Sequence, residues 1–243
     1  MRSKIRITFF SLLSLGVLTS VAYGEILQVD SDFDGKLDQW HEMSKDGKLV
    51  KIEYDTNGDG KLDQVDIYNG NKKPVLSKLD RNFDGTLDQF QFYSKDFVLE
   101  RIEKDSKFTG KVDRKEFFGP KQKISRIEID EDQDGNMDVF QFFDDKENLV
   151  RIEYDASHNG KIDRWEYYAG EKSLQSAAFD SNGDGKQDQW QYFKGSTKPE
   201  KVEYDTNFDG KADRWEYFES TGELVRVELD RNYDGITDLI KRK

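Results

Sequence analysis

One spacing governs this chain. An aspartate that opens the same short loop stands at 30, 55, 80, 105, 130, 155, 180, 205 and 230, and successive starts are 25 residues apart every time. The loops read DSDFDGKLD, DTNGDGKLD, DRNFDGTLD, DSKFTGKVD, DEDQDGNMD, DASHNGKID, DSNGDGKQD, DTNFDGKAD and DRNYDGITD. A fixed period without insertion or deletion is the signature of a tandem array, in which each repeat is one supersecondary unit stacked on the next.

The residues between loops define that unit. "LVRIEYD" leads into a loop and "DRWEYY" or "DQFQFY" leaves one. Large apolar residues alternate with charged ones, and β-branched and aromatic types dominate, which is the pattern of half-buried strands. Polar turns such as "SKDGK", "FGPKQ" and "YAGEK" join one repeat to the next. Each repeat therefore reads strand, loop, strand, turn. The expected fold is all-β, nine antiparallel hairpin repeats in one domain over residues 25–243, curved into a solenoid-like or sandwich-like array. A small β-propeller is the alternative, since four strands per two repeats would make a blade.

Matching like with like sets an expected register. Ile152 lies opposite Trp165, Val150 opposite Tyr167, Glu153 opposite Arg164 and Arg151 opposite Glu166. The same rule pairs Glu203 with Arg214, Lys201 with Glu216, and Lys51 with Asp66. One face then becomes an aromatic stripe that a soluble chain must cover by coiling, layering or closure.

The loops carry the chemistry. Residues 205 to 216 fit the EF-hand spacing D-x-[DN]-x-[DN]-G-x5-E, but a 25-residue repeat leaves no room for two flanking helices. Glu216 reads instead as a strand residue, because its place is taken by Gln91, Gln141, Gln191, His41 and Lys241 in other repeats. The ninth loop position, in contrast, is Asp in all nine. The working motif is D-x-[DN]-x-D-G-x-x-D. Oxygens at positions 1, 3, 5 and 9, with glycine at 6 for a sharp turn, suit a hard cation such as Ca2+. Seven loops supply all four oxygen side chains, and these are the expected calcium ligands. They are Asp30, Asp32, Asp34 and Asp38; Asp55, Asn57, Asp59 and Asp63; Asp80, Asn82, Asp84 and Asp88; and Asp130, Asp132, Asp134 and Asp138. The last three loops supply Asp180, Asn182, Asp184 and Asp188; Asp205, Asn207, Asp209 and Asp213; and Asp230, Asn232, Asp234 and Asp238. The loop at Asp105 has Lys107 and Thr109 at ligand positions and is expected empty. The loop at Asp155 has the weaker Ser157 and Asn159. A polar turn is the competing reading of any one loop, since Asp, Asn and Gly favour turns by themselves.

These loops resemble the calcium loops of integrin-α FG-GAP repeats and related bacterial secreted calcium-loop repeats, which set the nine-residue motif in a β-hairpin. The resemblance implies calcium binding; it covers the loops alone, because FG-GAP repeats are far longer than 25 residues.

Residues 1–24 open with Arg2, Lys4 and Arg6, continue as an apolar run and end in the small pair Ala22 and Gly24. They read as a secretory signal cleaved after Gly24, and the expected location is secreted or periplasmic. No other segment has membrane length. There is no cysteine, so no disulfide holds an exported chain together. The net charge of −12 argues against nucleic acid as a partner. With no nucleophile motif and only His41 and His158 as histidines, no enzyme is expected. The leading function is a calcium-binding repeat protein with a structural or adhesive role. A calcium-stabilised scaffold for a protein or glycan partner, met by Trp40, Trp165, Trp190 and Trp215, is the alternative.

Overall fold

The computed structural model describes residues 24–170 and 173–243. The apolar leader through Tyr23, and with it the expected signal, lies outside them. The chain divides into two units, Met1–Val112 and Asp113–Lys243. The first holds β1 (Ile26–Val29), β2 (Gln39–Met43), β3 (Leu49–Tyr54), β4 (Gln64–Ile67), β5 (Leu76–Leu79), β6 (Gln89–Tyr93) and β7 (Leu99–Lys104). The second holds β8 (Arg114–Phe118), β9 (Ile124–Ile129), β10 (Val139–Phe143), β11 (Leu149–Tyr154), β12 (Arg164–Ala169) and β13 (Ser173–Phe179). It continues with β14 (Gln189–Tyr192), β15 (Lys201–Tyr204), β16 (Arg214–Phe218), β17 (Leu224–Leu229) and β18 (Leu239–Arg242). A 3₁₀ turn at Pro120–Gln122 is the one helical element among the described residues. The all-β, tandem-hairpin architecture read from the repeat is what the chain adopts.

Within each unit every strand pairs antiparallel with its neighbours in sequence. Packing, too, is between consecutive strands, so each unit is a single-layered meander without the second layer of a sandwich. Acidic loops lie at one end of the strands and the polar turns at the other. Outgoing strands end in a bulge before the turn, at Glu42/Met43, Phe92/Tyr93, Phe117/Phe118, Phe142/Phe143, Tyr167/Tyr168 and Tyr217/Phe218.

The register differs by one residue from the like-with-like expectation. Ile152 lies opposite Glu166, Glu153 opposite Trp165, and Arg151 opposite Tyr167. Lys201 lies opposite Tyr217, Val202 opposite Glu216, and Lys51 opposite Ile67. The loop decides this. Within the units the ninth aspartate closes the hairpin by donating its amide to the last residue of the incoming strand, as in Asp163 N to Tyr154 O at 2.9 Å and Asp213 N to Tyr204 O at 2.8 Å. That bond sets Tyr154 against Arg164, and every later pair follows from it. Because side chains alternate with period two, a one-residue slip exchanges the partners of every residue.

The consequence is that neither face is an aromatic stripe. On one face of the second unit a row runs Glu116, Ile127, Gln141, Ile152, Glu166, Ala177, Gln191, Val202, Glu216, Val227 across the strands. On the other face Phe117, Arg126, Phe142, Arg151 and Tyr167 alternate ring with cation. Arg126 stands 4.1 Å from the Phe117 ring centre, Arg151 4.2 Å from Phe142 and Arg226 3.8 Å from Tyr217. Such contacts contribute about 0.5–1 kcal/mol each at exposed sites, and the arginine stems also cover ring surface. Most strand ion pairs run along a strand, such as Arg126–Glu128 at 3.0 Å, Arg151–Glu153 at 3.1 Å and Lys201–Glu203 at 2.5 Å, while Lys51 also reaches across to Glu42 at 3.3 Å. Faces on which most large apolar groups lie beside a charged or polar neighbour need little cover, so a single layer suffices.

Acidic residues on the outgoing strands are buried under this arrangement. Glu166 is 5 % exposed and receives Arg164, Tyr154 Oη at 3.2 Å and Tyr168 Oη at 2.5 Å. Glu216 is likewise a strand residue, held by Arg214 Nε at 3.1 Å and Tyr204 Oη at 3.4 Å. Replacing Glu166 with Ala leaves two hydroxyls and a guanidinium without their acceptor, and is expected to cost about 1–3 kcal/mol in urea unfolding. An unchanged midpoint would refute the role given to this carboxylate.

The same contacts hold the tyrosines protonated. Burial, and then the Glu203 hydrogen bond at 2.9 Å, pushes Tyr192 up to about 12. Burial, followed by nearby carboxylates, raises Tyr154 and Tyr204. Burial, then Glu166, raises Tyr168. The folded state thus holds these protons more tightly than the unfolded chain, whose tyrosines titrate near about 10. Stability from them is intact below that value and is lost as pH rises toward about 12. Melting temperature is expected to fall across that window, in step with tyrosinate absorbance.

Candidate metal centres in the acidic loops

Each loop is built by its own carboxylates. The first aspartate accepts the amide of the sixth-position glycine through Oδ2 in every loop, from Gly85 N to Asp80 at 2.6 Å to Gly35 N to Asp30 at 3.0 Å. The third side chain accepts the fifth amide, as in Asp34 N to Asp32 Oδ1 at 3.0 Å and Asp184 N to Asn182 Oδ1 at 2.8 Å. The fifth accepts the seventh amide, as in Lys61 N to Asp59 Oδ1 at 2.8 Å. The ninth reaches back to the second amide, as in Glu131 N to Asp138 Oδ2 at 2.7 Å. Glycine at position six has φ of +84° to +101°, in the left-handed range that a side chain resists. Position four is left-handed as well, even where it is Phe33, Phe83, Phe108 or Phe208.

These bonds give each aspartate a fixed orientation and leave other oxygens uncommitted. Asp80 is 4 % exposed, yet its Oδ1 is buried and accepts no hydrogen bond; the same holds for Oδ1 of Asp63, 5 % exposed. Oδ1 of Asp30 is also buried and unpartnered. A bare carboxylate oxygen in such a place costs free energy unless a cation meets it. Ligand atoms converge in two loops: those of Asp30, Asp32 and Asp38, and those of Asp130, Asp132 and Asp134, lie within 4.8 Å of one another. These acidic groups are able to hold a metal ion. Asp34 stands outside the first group and Asp138 outside the second. In the expected loops whose third residue is Asn, no three acidic side chains converge in this way among the described residues.

Neighbouring loops are tied together. The first aspartate of one loop donates its amide to the ninth aspartate carbonyl of the loop before, as in Asp80 N to Asp63 O and Asp205 N to Asp188 O, both 2.8 Å. Lys61 Nζ reaches Asp84 O in the next loop at 2.7 Å. His158, at position four of its loop, sets Nδ1 3.0 Å from Asp138 Oδ1 in the preceding loop. That hydrogen bond raises the His158 pKa above its usual value, with Asp132 and Asp155 adding attraction.

Position two was not singled out from the sequence, although its composition carries a signal. Hydroxyls there grip the ninth aspartate: Thr56 Oγ1 to Asp63 at 2.6 Å and Ser181 Oγ to Asp188 at 2.9 Å. In two loops the residue is arginine. Arg81 Nε lies 2.5 Å from Asp88 Oδ1, and Arg231 Nε 2.6 Å from Asp238 Oδ1. The Arg231 bond holds the Asp238 carboxyl below the usual range. A guanidinium on the ninth carboxylate competes there with any cation. The four tryptophans of the alternative reading are half-buried within the sheet; Trp165 and Trp215 lie opposite Glu153 and Glu203.

No protein-family profile matches this chain, and no curated protein matches it. Among solved structures, the crystal structure of TcdB2-TccC3 is similar at 10 % identity over 89 % of this chain and 15 % of that one, with a TM-score of 0.19. The crystal structure of TcdB2-TccC3-TEV gives 12 % identity over 91 % and 19 %, with a TM-score of 0.20. This chain thus spans under a fifth of either, and likeness at that level transfers nothing. No helix among the described residues is long and apolar enough to cross a membrane.

Asp130 is fully buried and caps Gln133 N at 2.6 Å and Gly135 N at 2.9 Å. Asp130→Ala is expected to lower stability by about 1–3 kcal/mol even in chelator, since two loop amides lose their acceptor. Urea unfolding without divalent ions measures this.

Proposed function

We propose that this is an exported calcium-binding repeat protein whose loops bind Ca2+ and stiffen the hairpin array for a structural or adhesive role. The observation that carries the reading is the pair of buried, unpartnered carboxylate oxygens, Asp63 Oδ1 and Asp80 Oδ1, whose sister oxygens are already engaged, Asp63 Oδ2 by Thr56 and Asp80 Oδ2 by the Gly85 amide. The donor set fits the ion. In the seven loops with four oxygen side chains it is oxygen-only, rich in carboxylate, and carried on a backbone curled by glycine, as a hard cation with six to eight oxygen ligands requires. When bound, calcium would offset the repulsion among the aspartates of one loop. Asp30, Asp32 and Asp38, and likewise Asp130, Asp132 and Asp134, are the sets whose carboxylates already gather. Loops three and nine, where arginine holds the ninth aspartate, should be weaker than loops two, seven and eight. The loop at Asp105, with Lys107 and Thr109, takes no ion in this reading.

Because a folded loop binds the ion and an unfolded one does not, binding is linked to stability. Each site at a free calcium concentration 100-fold above its Kd stabilises the fold by about 2.7 kcal/mol. Titration calorimetry of the chain from residue 25, paired with circular-dichroism melts in calcium and in chelator, tests the proposal. Heat of binding at several sites and a large rise in Tm are expected. No heat at millimolar calcium and superimposable melts would overturn it.

A further inference from the structure

We infer that Asp132, Asp138 and His158 form a binding site for a divalent ion of the zinc class, different in chemistry from the all-oxygen loops. His158 is the only histidine at position four of any loop; Phe, Gly, Gln or Tyr stands there elsewhere. Its left-handed backbone, φ +52°, belongs to the sixth loop, but its Nδ1 meets carboxylates of the fifth. Nδ1 lies 3.0 Å from Asp138 Oδ1 and 3.4 Å from Asp132 Oδ2, and all three ligand atoms fall within 4.8 Å of one another.

Those separations suit a small ion. Tetrahedral Zn2+ with bonds of about 2.0–2.1 Å places its ligand atoms about 3.3 Å apart, so the three side chains need little movement to close on it. Calcium prefers oxygen at longer range, whereas imidazole with carboxylates suits zinc and its neighbours in the transition series. The ligands are also held from behind. Asp138 is 2 % exposed, and its Oδ2 accepts Glu131 N at 2.7 Å, leaving Oδ1 toward the imidazole. Asp132 Oδ1 accepts Asp134 N at 3.0 Å, leaving Oδ2 toward the same point. Such outer bonds orient metal ligands and sharpen their geometry. Three protein ligands leave the fourth position to water. The inference stands on this geometry; because Asp132 and Asp138 also belong to the fifth loop's oxygen set, zinc here competes with calcium in that loop and leaves the other loops untouched.

The test is zinc titration of the untagged chain in calcium-free buffer, by calorimetry and by the visible spectrum of Co2+ as a zinc substitute. His158→Phe is the informative variant, since phenylalanine occupies this loop position in four other repeats. His41→Gln is the control. Wild type and the His41 variant are expected to bind one zinc ion, with Co2+ giving a tetrahedral spectrum. His158→Phe should bind zinc at least about tenfold more weakly, a loss that even an outer-shell partner of a ligand can produce, with calcium heats unchanged. Equal zinc affinity in wild type and His158→Phe would overturn the inference, as would a Co2+ spectrum that is not tetrahedral. A silent calcium titration beside His158-dependent zinc binding would remove the proposed function and leave this site standing.

Discussion

The ninth aspartate is the residue on which the rest of the structure depends. Its amide closes the hairpin on the last residue of the incoming strand, its carbonyl receives the first amide of the next loop, and its carboxylate caps the start of its own loop. Three different groups of one residue thus join strand to strand, repeat to repeat, and loop to hairpin. Burial makes each of these bonds expensive to lose. The amide and carbonyl are common to other residues, but the carboxylate cap is a physical reason for Asp at this position, and it operates with or without a cation.

From that closure follows the distribution of charge. The register it imposes sets aliphatic residues opposite Glu or Gln on one face and rings opposite Arg, Lys or Glu on the other. Among the described residues only a few apolar side chains are buried, and four of them, Ile52, Ile127, Ile152 and Val202, are flanked by polar neighbours across the strands. Cohesion is spread over backbone ladders, in-strand ion pairs and cation–ring contacts. A hydrophobic core in the ordinary sense is not what holds these units together.

Much of this was legible in the sequence. The 25-residue period, the alternation of apolar and charged residues and the turn chemistry sufficed for strands, loops and hairpins. The strand assignment of Glu216 came from the variety of residues at its position. The register was not legible, because pairing Ile152 with Trp165 treats like residues as partners, while the geometry of the loop, closed through Asp163, places Ile152 against Glu166. In the loops, the curl at glycine and the orientation of the aspartates could be anticipated. Contacts between loops could not. His158 meeting Asp138, and Lys61 meeting Asp84, depend on how far one hairpin stands from the next. Arg81 on Asp88 is local and was overlooked because position two lies outside the ligand pattern.

The mixed faces bear on how such a chain can vary in length. A barrel must return to its first strand and a propeller must complete its last blade, so both admit only certain strand numbers. A layer that is already reconciled with water on both sides carries no such condition. One more hairpin, or one fewer, leaves the surroundings of the remaining ones almost untouched, and copy number becomes a freely adjustable dimension of the molecule.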